Sequence, residues 1–209
     1  MEVYSRKLTV KDFSFLEELV KHFEKLPGVG KKTALRYAYY VVEKMSIDSV
    51  NEFAKDLVTI KENIKRCNVC GMLTDSDTCD ICSDNFRDKS KIIVVKDTKD
   101  VFALEKIKQY NGLYHVLNGL ISPLDGIGPE SVNIDSLESR CKNDSVKEVI
   151  LATPFTPNGE TTALFLERIL DREDLVISRI GYGLPAGGDI EYTDELTLLR
   201  SLQNRQTLK

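Results

Sequence analysis

Apolar residues recur along this chain with two different periods. Phe15, Leu16, Leu19, Val20 and Phe23 follow at helical spacing after Ser14-Phe-Leu-Glu17, a capping box that opens a helix. The pattern breaks at Leu26-Pro27-Gly28-Val29-Gly30, where Pro27 cannot continue a helix and two glycines permit a tight turn. A second helix is predicted with Leu35, Ala38, Tyr39 and Val42 on one face. A third runs from about Asp48 to Lys65, with Val50, Phe53, Ala54, Leu57 and Ile64 along its stripe. Later the period changes. Short continuous apolar runs at Ile92–Val95, Leu113–Leu117, Val149–Ala152 and Leu175–Ile180 read as strands, alternating with helical segments around Val101–Ile107 and Glu160–Leu170. Two-sided strands alternating with helices predict a mainly parallel sheet covered on both faces.

Between the two regimes lies Cys67-Asn-Val-Cys70, followed after eight residues by Cys79-Asp-Ile-Cys82. Each pair turns two thiolates toward one point, and four soft thiolates in a tetrahedron suit Zn²⁺ with no position left for a substrate water. Gly71 lets the chain turn tightly after the first pair. Two disulfides fit poorly, because the sequence shows no secretory signal and cysteine is otherwise scarce; an iron–sulfur cluster is the chemical rival. Cys141, the fifth cysteine, reads as an inert thiol. His22 and His115 have no ligand or nucleophile beside them in sequence and read as packing or surface residues. No apolar run approaches the ~20 residues of a membrane helix. The N-terminal Arg6, Lys7 and Lys11 are followed by no apolar segment of signal type, which predicts a cytoplasmic protein.

The formal charge of −4 argues against a nucleic-acid binder until it is divided along the chain. Residues 1–66 carry 13 Lys/Arg against 10 Asp/Glu, a net of +3, which leaves −7 for the rest. Between Lys21 and Lys44 six basic residues face two acidic ones. Leu26-Pro-Gly-Val-Gly-Lys-Lys-Thr-Ala34 between two helices resembles the helix-hairpin-helix motif of DNA repair proteins. Bare N–H groups at Gly28 and Gly30 can approach a phosphate at the start of the second helix, and Lys31, Lys32 and, one turn on, Arg36 can add charge-assisted contacts. Such binding reads the backbone and not the bases. A P-loop is excluded, since GxxxxGK[ST] would need glycine where Lys25 stands and Ser or Thr where Lys32 stands.

With these strings in place the whole chain resembles the bacterial recombination mediator RecR family. To the hairpin and the four cysteines it adds Gly112-Leu-Tyr-His-Val-Leu117, Ile121-Ser-Pro-Leu-Asp-Gly-Ile-Gly-Pro129, Glu148-Val-Ile-Leu-Ala-Thr153 and Gly183-Leu-Pro-Ala-Gly-Gly-Asp-Ile-Glu-Tyr192. The match runs from Phe15 to Leu208. The resemblance implies a multi-part α/β chain: a helical helix-hairpin-helix region over 1–66, a four-cysteine zinc finger over 67–82, a Toprim domain over 90–186, and a C-terminal tail over 187–209 serving oligomerisation. It implies a non-enzymatic DNA-binding protein that works with RecO and RecF to place RecA on gapped or single-strand-binding-protein-coated DNA, and that assembles as a ring-like tetramer. Lys32 and Arg36 fall on the basic positions linked to DNA in that family.

The departures lie in the Toprim part. Active Toprim enzymes hold Mg²⁺ with a Glu after the first strand and an Asp-x-Asp after a later one. Here these positions read Lys96 and Thr153-Pro154-Phe155-Thr156, and a hard cation finds no carboxylates there. Asp97, Asp100 and Glu160 remain nearby and read as surface and helix-start residues. Asn158 stands where relatives tend to have Glu, which weakens any inference to partner contacts through this loop. A Toprim nuclease or primase-like enzyme is the alternative reading, and a zinc-finger scaffold that binds only proteins is a third. In the tail, Asp189, Glu191, Asp194 and Glu195 look like a metal cluster but read as a glycine turn followed by a helix capped by Thr193 with an acidic first turn. Leu196, Leu199 and Leu202 give that helix an apolar stripe for docking on its own or a neighbouring subunit.

Overall fold

The computed structural model describes residues 14–207. Arg6, Lys7, Lys11 and Leu208 lie outside the described residues. The chain divides into two compact units between Asn63 and Ile64.

The first unit is helical: α1 (Ser14–Glu24), α2 (Lys31–Lys44) and α3 (Ile47–Asn63). Helix α1 is described from Ser14 onward, and the start of the helix, on which the expected capping box depends, lies outside the described residues. Helices α1 and α2 pack on each other around Val20, Ala34 and Ala38, with Leu16, Leu19, Phe23 and Val29 half-buried around them. The two alanines are fully buried. Their small side chains let the helix axes approach, and this sets the buried face of α2. Leu35, Tyr39 and Val42, expected on that face beside Ala38, lie outside this packed cluster, and Leu35 and Tyr39 are exposed. Helix α3 buries none of its residues, so Phe53, Leu57, Val58 and Ile60 present an apolar surface.

The second unit begins with a correction. Lys65 and Arg66 do not end α3 but form strand β1 (Lys65–Arg66), paired antiparallel with β2 (Leu73–Thr74) across the first cysteine pair. A short helix, α4 (Asp80–Ser83), carries the second pair. There follow β3 (Asp88–Val95), α5 (Thr98–Glu105), β4 (Gly112–Val116), α6 (Asp135–Cys141), β5 (Glu148–Ala152), α7 (Pro157–Ile169) and β6 (Val176–Arg179). The strands form one parallel sheet in the order β4-β3-β5-β6. Because the chain leaves β3 first to one side and then to the other, the crevice at the carboxyl ends of β3 and β5 is the topological switch point. Helix α8 (Glu195–Gln203) closes the chain.

Alternation along β3 separates two cores. Ile92 and Val94 point to the face covered by Leu137 and Cys141 of α6 and Ala163 and Leu166 of α7. Ile93 and Val95 point to the other, where Val101 of α5 meets Cys67, Cys70 and Cys79. The cysteine cluster is therefore one of the layers that cover the sheet. Cys141, at the end of α6, is buried and has its thiol pushed up by that burial, which suits an inert thiol.

His115 on β4 has no exposed surface. Its Nε2–H donates to the Asn133 carbonyl at 2.7 Å, and its Nδ1 lies 3.2 Å from Nη1 of Arg140 on α6, which fixes the neutral tautomer. Burial above all, with the nearby Arg140 charge adding to it, pushes its pKa down to about 4 against the opposing bond to Asn133. In the unfolded chain the ring takes up a proton below about 6.5, whereas in the folded one it does not until about 4. The stability is complete above the unfolded value and is lost as pH falls through that window. We predict a loss on the order of 2 kcal/mol from this residue between pH 7.5 and 5, read from urea unfolding. His115→Gln starts less stable but lacks that slope; parallel pH profiles for the two proteins would refute it.

Candidate nucleic-acid interface and metal centre

The turn between α1 and α2 is built from backbone. Leu26 N–H donates to the Phe23 carbonyl at 3.0 Å and Val29 N–H to the Leu26 carbonyl at 3.1 Å. Gly28 sits at φ +77, a region that penalises any Cβ. Gly30 is different. It caps α2 at φ −86 and ψ 168, an ordinary extended conformation, and a Cβ built on it meets nothing within 4 Å. No side chain caps α2 there. Nothing inside the unit requires glycine at position 30, while its bareness leaves the first amides of α2 open to approach from outside. Lys31, Lys32 and Arg36 are all exposed, and Lys32 and Arg36 stand one turn apart on α2. The Arg36 guanidinium lies 5.6 Å from the Tyr37 ring, itself edge-on to Phe23 at 5.8 Å. The geometry offers an anion the free helix start, its dipole and cations along one line.

The four cysteines converge. One sulfur from each of Cys67, Cys70, Cys79 and Cys82 lies within 4.8 Å of the others, and Cys70 and Cys79 are 3.6 Å apart. An ion with sulfur ligands at about 2.3 Å in a tetrahedron sets sulfur separations near ~3.8 Å, so this set fits Zn²⁺ after slight adjustment. Cys79 N–H points at the Cys67 sulfur at 3.3 Å, a bond that favours thiolate over thiol. The contact between Cys70 and Cys79 pushes the first thiol up to about 12 and holds the second down to about 2. Only a cation allows four sulfurs this close to be ionised together.

Gly71, expected to serve a tight turn, does so at φ +77, and it has a second reason to be glycine. A Cβ there would meet the Asn133 amide nitrogen at 2.4 Å and the Val116 carbonyl at 2.8 Å. Sequence reasoning missed this junction. Val116 N–H donates to the Cys70 carbonyl at 2.7 Å, Asn133 Nδ2 to the Val116 carbonyl at 2.9 Å, and Asn118 Nδ2 to the Gly71 carbonyl at 3.0 Å. Asn118 adopts φ +61, and Arg66 donates to its side-chain oxygen. An asparagine at positive φ beside a strand end leaves only a weak local signal, because its partners lie far away in sequence.

At the carboxyl ends of β3 and β5 a cleft of about 440 Å³ is lined by Lys96, Asp97, Lys99, Asp100 and Pro154. Its carboxylates are occupied. Asp97 N–H donates to Asp100 Oδ2 at 2.9 Å at the start of α5, and the Asp97 carboxylate lies 3.5 Å from Lys96 and 3.7 Å from Lys99. Glu160, in the first turn of α7, accepts from Arg179 at 2.8 Å. Arg179 also lies 4.7 Å from the Phe155 ring, which stacks on Tyr182 at 4.3 Å. Asn158 donates to Ser122 Oγ at 3.0 Å and so holds the loop that carries Ile121–Pro129.

The tail departs from expectation by one residue. Asp194, not Thr193, caps α8: its carboxylate accepts from Thr197 N–H at 2.9 Å and from Thr197 Oγ1 at 2.7 Å, one bond on each oxygen. Among the described residues Asp189, Glu191 and Glu195 join no metal-ligand cluster. Tyr182 Oη to Thr197 Oγ1 at 3.0 Å and Asn204 Nδ2 to the Tyr182 carbonyl at 3.1 Å fasten α8 to its own unit, while Leu196, Leu199 and Leu202 stay exposed.

The two hairpin glycines generate a prediction about stability. Gly28→Ala forces a side chain into the left-handed region and should cost about 1 kcal/mol. Gly30→Ala should change thermal stability by no more than about 0.5 kcal/mol, the lost N-cap glycine offsetting the gain through the unfolded state. Equal losses in a thermal melt would show that Gly30 has a packing role.

Comparison with known proteins places these parts. The model of the RecR helix-hairpin-helix matches residues 16–60, that of the RecR four-cysteine zinc finger domain residues 64–84, that of the Toprim domain residues 90–181, and that of the RecR C-terminal part residues 183–206. The chain is 50% identical over 193 residues to the recombination protein RecR of Streptococcus thermophilus, covering 92% of this chain and 97% of that one. It is likewise 50% identical over 194 residues to RecR of Streptococcus mutans, with the same coverage, and 49% identical over 193 residues to RecR of Streptococcus sanguinis. An α1–α2 hairpin with a bare helix start, a cluster of four cysteines and a parallel Toprim sheet, matched in order over nearly the whole length, make this chain a member of the RecR family of recombination proteins.

Proposed function

We propose that this protein is a DNA-binding recombination mediator that acts with RecO and RecF to load RecA on gapped or single-strand-binding-protein-coated DNA in the cytoplasm, at the nucleoid. The observation that carries the reading is the uncapped start of α2 at Gly30, where nothing in the helical unit needs a glycine, followed by Lys31, Lys32 and Arg36. A DNA phosphate seated there accepts from the free amides, with Lys32 and Arg36 reaching adjacent points on the same strand. Such contacts are sequence-independent and individually weak. Repetition in a ring-like homotetramer raises avidity without new contacts. The apolar surfaces on α2, α3 and α8 support self-association, since Leu35, Phe53, Leu57 and Leu199 stay exposed within one chain.

Cys67, Cys70, Cys79 and Cys82 hold one structural Zn²⁺ in this reading. When bound, the ion supplies cross-linking of the cluster and no open coordination position for chemistry. The Toprim part binds and does not catalyse. Lys96 stands at the end of β3, and Asp97, Asp100 and Glu160 are committed to a helix start and to ion pairs. The family name supports a mediator over an enzyme.

Two experiments test this. Fluorescence anisotropy with labelled DNA should show binding abolished in the double variant Lys32→Glu/Arg36→Glu. Lys32→Ala or Arg36→Ala alone should flatten the salt dependence on duplex by about 0.9 each. Unchanged affinity in the double variant would move the site off α2. Elemental analysis of protein purified without chelator should return one zinc per chain. Cys70→Ala should lose the metal and melt at lower temperature, and iron in place of zinc would overturn the assignment.

A further inference from the structure

We propose that the turn bearing Phe86, together with the outer face of α5, is a second nucleic-acid contact that stacks bases of single-stranded DNA; the inference rests on the DNA-binding reading above. Phe86 is 92% exposed, in a segment whose backbone is firmly held. Its N–H donates to Asp84 Oδ1 at 2.8 Å, and its carbonyl accepts from Asn111 Nδ2 at 3.0 Å. The next residue, Arg87, forks onto Glu105 at 2.9 and 2.6 Å and also reaches the Gly112 carbonyl at 3.2 Å. The main chain is thus fixed on both sides of a ring that contributes to neither core. A rigidly displayed aromatic loses little freedom on binding.

The surroundings indicate the ligand. The same Arg87–Glu105 pair ties this turn to α5, where Phe102 is 56% exposed and lies three residues after Lys99 and four before Lys106, about 100° around the helix from buried Val101. The bond from Asn111 ties the turn to the connection that follows α5, which carries Lys108 at φ +56. Lys89, Lys106 and Lys108 are exposed, and among the described residues none of them has a carboxylate within 4.0 Å. Of the acids of the same region, Glu105 and Asp84 pair with Arg87 and Asp97 with Lys96 and Lys99, while Asp88 accepts from Ser90 and keeps its charge, as does exposed Asp80. Lysines free of ion pairs, interleaved with exposed aromatic rings, are what a single strand requires, phosphates on the lysines and base faces on the rings. A duplex keeps its base faces stacked inside and gives Phe86 nothing to bind.

The chain contains no tryptophan, so Phe86→Trp introduces a single reporter on the turn. Its fluorescence should be quenched on titration with an oligothymidylate and not with a duplex of the same length. By anisotropy of labelled oligothymidylate, Phe86→Ala should weaken binding about tenfold, with duplex affinity unchanged. Replacing Lys106 and Lys108 with Ala should lower the single-strand salt slope by about 0.7 for each lysine. If the oligothymidylate binds by anisotropy but leaves the tryptophan signal unmoved, the second contact is refuted and the hairpin reading stands. A signal that shifts only as protein concentration rises would make the turn a protein contact and refute the proposal too. Failure of the wild-type protein to bind either DNA would overturn the underlying reading itself.

Discussion

One face of the parallel sheet is covered in part by four cysteines. Ile93 and Val95 of β3 and Tyr114 and Val116 of β4 pack in one buried cluster with Cys67, Cys70 and Cys79, and α5 supplies the helix on that side. Strand β4 is also the edge of the sheet, and at its last residue the Cys70 carbonyl receives the Val116 amide that a further strand would have taken. A module too small to have a core of its own thus performs two tasks, covering an apolar face and blunting an edge. Both depend on the sulfurs staying together. A cation that binds them thereby stabilises the sheet, because binding free energy to a site formed only in the folded state is folding free energy.

That dependence explains why the junction is so polar and so tight. The turn after Cys70 must approach the end of β4 closely enough for backbone groups to bond across, which leaves no room for a Cβ at residue 71. Asn118 and Asn133 then satisfy the carbonyls that would otherwise be stranded there, and Arg66 completes the set from β1. Lys65 and Arg66 are extended for the same reason. Leaving α3, the chain must pair with Leu73 and Thr74 to bring Cys67 opposite Cys79.

Much of this was legible in the sequence where the signal is local and periodic. The apolar runs at Ile92–Val95 and Val149–Ala152 located buried strands, and the spacing of the cysteine pairs located the metal-ligand cluster. Legibility failed where a distant partner decides. The stripe of α3 passes smoothly into Lys65, and nothing in those residues announces a pairing that depends on the turn beyond Cys70. In α2, Leu35, Tyr39 and Val42 obey the helical period as well as Ala38 does, yet the face that packs on α1 is the one that allows the closest approach. Hydrophobic period shows which residues share a helix face, and not which of them the neighbouring helix covers. Asn133 and Arg179 left no mark and Asn118 only a weak one, because the bonds that decide their roles reach residues remote in sequence.

The carboxyl edge of the sheet follows the same logic in charge. A crevice at a topological switch point is where a parallel α/β sheet normally meets its ligand, and an enzyme acting on phosphodiesters would gather carboxylates there around a cation. Here the gathered charges cancel within the chain. Lys96 and Lys99 lean on Asp97, Asp100 closes the first turn of α5, and Arg179 lies between Glu160 and the Phe155–Tyr182 stack. Each acid is held by a group that would have to be displaced before a metal could use it, and displacing Glu160 would leave the partly buried Arg179 without a charge partner. The stack that receives Arg179 also contains Tyr182, whose hydroxyl and carbonyl fasten α8. In this chain the carboxyl end of the sheet also anchors the tail, and a rearrangement that freed Glu160 would disturb the stack whose Tyr182 fastens the helix with its outward-facing leucines.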